Sequence, residues 1–227
     1  MLSLPTAYLP PLDYFAAIVQ AGVFFIDGNR PCRKQTFANR AYIVTSQGVL
    51  NLSVPCTKPH GSHTLDGEML VCNLEKWQRD HWRGIVTAYN KSPYFLYYRD
   101  ELETFYKKEP QKLVDFNTAL LDFIIKKLHL PVTRVKDASE FAEAETVALD
   151  FGPRQPEKYH FEPYMQTFPC EAPRHGLSIL DLMFNLGPET VVFLQTARPA
   201  RGTRYFNFAT ASLMRRALSM SLSSLVA

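Results

Sequence analysis

Apolar positions recur at two spacings along this chain, and each predicts a different kind of element. The opening LSLPTAY reads as a short strand that runs into a Pro10–Pro11 turn. Leu12, Phe15, Ala16 and Val19 then fall at i, i+3, i+4 and i+7, the apolar stripe of a helix. Pro11 suits its start and Gly22 its stop. GVFFI (22–26) is a continuous apolar run, short enough for a buried strand. Strand, helix and strand in this order predict a βαβ unit with a parallel pair. After the polar, irregular segment 30–38 come RAYIVT (40–45) and VLNLSVP (49–55), joined by Ser46-Gln47-Gly48. Leu50, Leu52 and Val54 alternate with Asn51 and Ser53, which predicts a hairpin with one buried face. Residues 57–68 (TKPHGSHTLDGE) read as an exposed loop.

The helical period dominates the middle of the chain. Trp77, His81, Ile85 and Ala88 form a stripe on a helix near 74–89, closed by Asn90-Lys91-Ser92-Pro93. A second helix, rich in aromatics, runs from Phe95 to about Tyr106. Leu113, Phe116, Leu120, Phe123, Ile124 and Leu128 share one face of a third, between residues 111 and 129. Within 132–162, SEFAEAE has helical character and FGPRQPEKYHFEP is a connector. LSILDLMFNLG (177–187) is an apolar helix with Ser178 near its cap, and TVVFLQT is assigned a final strand. The expected architecture is an α/β domain. Its mixed sheet opens with a βαβ unit and a β-hairpin and is flanked by several helices.

Composition narrows the class. The 227 residues are 46% apolar and 21% charged, so a sizeable core can form. There is no apolar run of about 18 residues and no basic-then-apolar leader, which predicts a cytoplasmic chain without a membrane span. The formal charge is +3, unevenly spread. After Glu189 there are five arginines and no acid or lysine, leaving residues 1–197 at −2 by difference. We therefore divide the chain into one domain, 1–197, and a basic Arg/Ser/Ala-rich tail, 198–227, of a composition that suits disorder. A body of that charge is a poor match for nucleic acid. Cys32, Cys56, Cys72 and Cys170 lack the spacing of a zinc knuckle or redox pair. A metal set of Cys32 and Cys56 with His60 or His63 is outweighed by scattered reduced thiols, so no metal is expected.

Three places carry candidate chemistry. The first is Arg33, Lys34, Gln35, Thr36, Asn39 and Arg40, where fixed cations with amide and hydroxyl donors fit a phosphate or carboxylate. Lys34 and Arg40 would stand roughly 20 Å apart on one extended strand, at about 3.3 Å per residue. Gripping one diphosphate therefore requires the loop to fold back. The alternative is a solvated, charged lead into the strand. The second is Trp77, His81, Trp82 and Arg83, continuing to Tyr89 and Lys91. His81 on a cleft wall would act as a general base. On the apolar face to which its spacing assigns it, the ring would be a buried structural group with a depressed pKa. The third is the turn Pro5-Thr6-Ala7-Tyr8 before the first helix, since ligands of open α/β sheets bind at the carboxyl ends of strands. No GxGxxG, GxxxxGK[ST] or GxSxG is present, and no cofactor is expected. The aromatics of 94–106 fit a core better than a sugar platform. Asp181 and Asn185, one turn apart, would either orient a ligand or face water.

The order AYLPPLDYF, KQTFANRAYI, a hairpin ending LSVP, and WQRDHWRGIVTAYNKSPYFLYYRDELETFY resembles the WbqC-like family of bacterial proteins. The later YMQTF and HGLSILDLMFNLGP are similar to the end of its Bacteroidetes-type members, so the resemblance covers about residues 3–192. Arg30-Pro31-Cys32-Arg33 stands where that branch tends to carry an acidic–aromatic stretch, and the arginine-rich tail has no counterpart in it. The family is associated with lipopolysaccharide O-antigen gene clusters. The resemblance therefore implies a bacterial, cytoplasmic protein of surface-polysaccharide biosynthesis whose small-molecule partner is a sugar nucleotide. It supplies no established reaction. Two readings follow. One is an acyl or aminoacyl transferase on a nucleotide-activated amino sugar, with His81 as the base. The other is a non-catalytic binding or accessory protein of the same pathway. A nucleic-acid binder using the tail ranks third.

Overall fold

A computed structural model describes residues 1–136, 146–169 and 176–200. Its centre is a four-stranded parallel sheet ordered β7-β2-β1-β8. These strands are β1 (Leu2–Leu4), β2 (Val23–Ile26), β7 (Thr133–Arg134) and β8 (Val147–Ala148). Helix α1 (Leu12–Ala21) crosses from β1 to β2, which register Leu2 against Phe24 and Leu4 against Ile26. The expected βαβ opening and parallel pair are therefore present. The hairpin is β3 (Arg40–Thr45) with β4 (Gly48–Ser53), and β5 (Cys56–Thr57) pairs β6 (Leu70–Val71). Helices α2 (Trp77–Tyr89), α3 (Phe95–Tyr106) and α4 (Leu113–Lys127) follow. Then come β9 (Tyr159–His160), α5 (Ile179–Leu186), α6 (Thr190–Thr196) and β10 (Arg198–Pro199), which pairs β9.

Three sequence readings change. TVVFLQT is helix α6, not a strand. Gly187 ends α5 and Pro188 opens a 3₁₀ turn, so the apolar run is wound, with Thr190 and Leu194 buried and Val192 largely exposed. Segment 57–68 is exposed only in its first half. Thr64 and Asp66 are buried, because residues 30–32 pair with 64–66 through Cys32 N–H to Thr64 O and Asp66 N–H to Arg30 O, both 2.9 Å. Helix α1 has no solvent face: nine of its residues are buried, Asp13 among them. SEFAEAE and the tail beyond Ala200 lie outside the described residues.

Burying Asp13 creates an electrostatic problem that the connector solves. Its carboxylate accepts the backbone N–H groups of Lys158 (2.9 Å) and Tyr159 (3.1 Å), tying residues 158–159 to α1. Burial outweighs these bonds and raises its pKa from 3.8 to about 7. The folded state thus holds a proton that the unfolded chain releases above about pH 4. Stability from this proton is fully present below that value and is lost as pH rises through 7. Denaturant titrations should show wild-type stability falling, relative to Asp13→Asn, as pH rises from 4.5 to 7.5. A pH-independent difference would contradict this origin.

Candidate functional site

The strand order places a cleft where α/β sheets bind ligands. Successive strands β1, β2 and β7 step outward to one side, whereas β8 returns to the other edge of β1. Beyond the carboxyl ends of two diverging parallel strands, their loops separate and leave a crevice. A cavity of about 210 Å³ opens there, lined by Pro5 after β1, by Arg30, Pro31 and Arg33–Thr36 after β2, and by Asp150–Gly152, Arg154 and Gln155 after β8. Asp66 completes the lining. Helix α1 supports two of the lining residues from behind. The Tyr14 hydroxyl donates to the Pro5 carbonyl at 2.8 Å, and its ring lies 5.1 Å from that of Phe151.

Close backbone contacts hold the rim. Gln35 turns the loop with a φ of 58°, and Phe37 and Ala38 drop into the core behind it. A Cβ on Gly152 would stand 2.9 Å from the Gln35 carbonyl oxygen, so only glycine fits beneath this turn. Gly67 donates its N–H to Gly28 O at 2.9 Å, joining the loop after β2 to the 66–68 turn. Asp150 grips both Arg30 and Arg33, the latter at 2.8 Å, while Arg30 also donates to Leu149 O at 3.0 Å. Lys34 and Arg154 make no ion pair among the described residues and remain available to an anion. The lining thus holds four cationic side chains against two carboxyls. Burial pushes one of these, Asp66, up to about 6, with Arg30 and a hydrogen bond from Cys32 opposing the rise.

The candidate residues from the sequence divide. Lys34, Gln35 and Thr36 line the cleft, but the turn at Gln35 does not bring Arg40 in beside Lys34, so these two do not form the joint diphosphate grip. Asn39 and Arg40 are not among the lining residues. The Asn39 amide donates to Val54 O at 3.0 Å and so closes the hairpin base, and Arg40 begins β3 with its Nε buried and unpartnered among the described residues. His81 and Trp77 are core residues, 7% and 4% exposed. The Tyr8 hydroxyl bridges His81 Nδ1 (2.9 Å) and the Tyr106 hydroxyl (2.8 Å). A bond to the Ser53 backbone engages the ring further, yet burial still lowers its pKa to about 4. The imidazole is therefore neutral and enclosed, away from the cleft. Tyr89 is buried too and donates to Asp181 at 3.1 Å, while Arg83 and Lys91 are exposed on and after α2.

Two other places on the molecule are polar. A wider groove of about 350 Å³ between α2 and α3 carries Lys76, Arg79, Lys107 and Lys108 beside Glu75, Glu103 and Glu109, a mixed lining over Trp82 and Tyr106. Asp181 and Asn185 do not face water. Asp181 accepts from Tyr89, Tyr164 and Gln166, and Asn185 accepts from the Thr167 backbone at 3.1 Å, a network that anchors 164–167 on α5. Two N–H groups near the first turn are spent inside the fold: Tyr8 donates to Phe37 O and Leu12, at the start of α1, to Leu177 O. Only Pro5 of that turn reaches the cleft. Among the described residues no three His, Cys, Asp or Glu side chains gather as a metal site, and no helix is long and apolar enough to cross a membrane.

Residues 6–152 match the WbqC-like protein family, and the chain belongs to it. The match takes in α1, the cationic loop, α2 to α4 and the start of the 150–155 segment, so it contains most of the cleft. Among curated proteins, the chain is similar to Uncharacterized protein Rv1507c of Mycobacterium tuberculosis, with 28% identity over 139 residues. That stretch is 61% of this chain and 59% of the relative. No solved structure matches.

The enclosed His81 makes a stability prediction. Truncating it in His81→Ala leaves the Tyr8 hydroxyl short of a partner and opens a void against Trp77, whose ring centre is 5.2 Å away. Folding stability should fall by about 2–4 kcal/mol in chemical denaturation. A loss below about 1 kcal/mol would contradict the structural role.

Proposed function

We propose that this WbqC-like protein binds a sugar nucleotide in the β1–β8 cleft and serves bacterial surface-polysaccharide biosynthesis in the cytoplasm. The observation that carries this reading is the convergence of Lys34, Gln35, Thr36, Arg33 and Arg154 on a crevice at the strand-order reversal. A pyrophosphate placed there meets two unpaired cations and two short polar side chains. The surrounding loops are already held by Asp150 and Gly152, so little ordering is needed on binding. Phe151 and Pro5 offer apolar surface beside the charges, which suits a sugar or base next to the phosphates.

Within this reading, the finer assignment is transfer of an acyl or aminoacyl group to the amine of an activated amino sugar. The transfer draws its support from the family's association with O-antigen clusters and does not use His81. The enclosure of that histidine favours, as the second reading, a non-catalytic sugar-nucleotide-binding or accessory role in the same pathway.

Thermal unfolding with a panel of sugar nucleotides tests the shared part. A ligand at about 100 times its dissociation constant should stabilise by roughly 2.7 kcal/mol. The shift should vanish in Lys34→Ala, whose side chain is exposed and unpaired, and persist in Arg40→Ala, which lies off the cleft. A shift that survives Lys34→Ala but is lost in Arg40→Ala would overturn the site.

A further inference from the structure

The cleft is not uniformly cationic: it also holds the carboxyl of Asp66, which accepts a hydrogen bond from the Cys32 thiol. Asp150 is spent on Arg30 and Arg33. Asp66 forms no ion pair among the described residues, although it is 6% exposed and lines the same cavity. Its backbone is pinned by the bond to Arg30 O, and the 3₁₀ turn that carries it is locked by Leu65 N–H donating to Glu68 Oε2 at 2.8 Å. A carboxyl held this firmly at the wall of a cavity, with a thiol as its hydrogen-bond donor, is costly to ionise unless a ligand group meets it. A second acceptor stands in the same lining: Gln155 Oε1 is buried and without a partner among the described residues.

We infer that Asp66 recognises an ammonium group carried by the ligand next to its phosphate, so that the cleft selects an aminated sugar phosphate over its hydroxyl analogue. This rests on the phosphate-binding reading of the cleft given above. Lys34 and Arg154 take the anionic end. Asp66, backed by Gln155, takes the cationic end. Such a pairing separates two ligands of equal size that differ in one functional group, because a desolvated carboxylate facing a hydroxyl keeps a hydrogen bond but forgoes the opposite charge that an ammonium supplies.

The charged and titratable groups around Asp66 are Asp27, Arg30, Cys32 and Arg33 after β2, Lys34 on the rim loop, and Lys58 after β5. Asp150 and Arg154 face it from after β8, and Glu68 on its own turn is engaged with Leu65 and His60. Arg30 and Lys58 favour the ionised form and Asp27 opposes it, while burial holds its pKa near 6. Below that value the carboxyl is protonated and loses its preference for a cation. Recognition of the amine should therefore strengthen from pH 5 to 7.5.

Titration calorimetry with three probes tests the inference without a known reaction: inorganic pyrophosphate, glucose 1-phosphate and glucosamine 1-phosphate. The wild type should bind pyrophosphate and should prefer glucosamine 1-phosphate by about tenfold at pH 7.5, equivalent to about 1.4 kcal/mol. That ratio should shrink towards one at pH 5. Asp66→Asn should bring it to about one at both pH values, with pyrophosphate binding retained. Equal affinity of the wild type for the two sugar phosphates, with pyrophosphate still bound, overturns the role of Asp66 alone. Failure of all three probes overturns the phosphate-binding reading and this inference with it. If Asp66→Asn does not fold, the pH dependence of the wild-type ratio decides: a ratio that stays constant across pH 5 to 7.5 overturns the inference.

Discussion

A three-residue strand carries the architecture. β1 is hydrogen-bonded on both edges, to β2 through Leu2–Leu4 and to β8 through Leu2 and Ser3. Its side chains are buried, with Leu2 and Leu4 at 1% and 0% exposure. A strand enclosed on both faces and both edges has few alternatives in register, since a slip would force Leu2 and Leu4 out of the main core into the smaller cluster of Met1, Val23, Phe25 and Val135. Its carboxyl end, capped by Pro5, therefore points at one place only. The chain leaves β1 by α1 towards one side of the sheet and later returns with β8 on the other. The crevice between those two directions is the cleft.

Electrostatics then divide the work. Inside the core, several polar groups are paired within the fold: His81 with Tyr8, Asn185 with Thr167, Asp13 with two backbone N–H groups. At the cleft the balance differs. Asp150 is consumed in holding two arginines, and Lys34, Arg154 and Asp66 form no ion pair among the described residues. Charges left over in a concave, partly dry place are poorly compensated by the fold. They are better explained by a ligand that compensates them than by stability.

Local patterns made much of this legible in the sequence. The i, i+3, i+4 stripe of α1 and the apolar run of β2 mark the βαβ opening, and alternation from Arg40 to Ser53 marks the hairpin. Cationic residues before β3 mark one wall of the cleft, because such a run has no place in a core. What escaped has tertiary causes. β8 is two residues long within a proline-rich region, and only its pairing with β1 makes it a strand. Asp66 sits among glycines, histidines and charges in a segment that reads as loop. Its burial follows from pairing with residues 30–32 and from the Gly28–Gly67 approach, neither of which has a sequence period. α6 misleads for the opposite reason: four successive apolar residues fit a buried strand, and only the Gly187-Pro188 break signals a new helical turn. His81 shared its spacing with Trp77 and Ile85, and that spacing pointed to the core.

The measurement that bears most directly on this account is where a phosphate ligand lands. Amide chemical shifts of the isotopically labelled protein, followed while inorganic pyrophosphate is added, report the location residue by residue. The account predicts perturbations concentrated in 30–36, 66–67 and 150–155, with the helices around His81 unmoved. Perturbations concentrated instead in 73–82 and 103–109, along the α2–α3 groove, would contradict it.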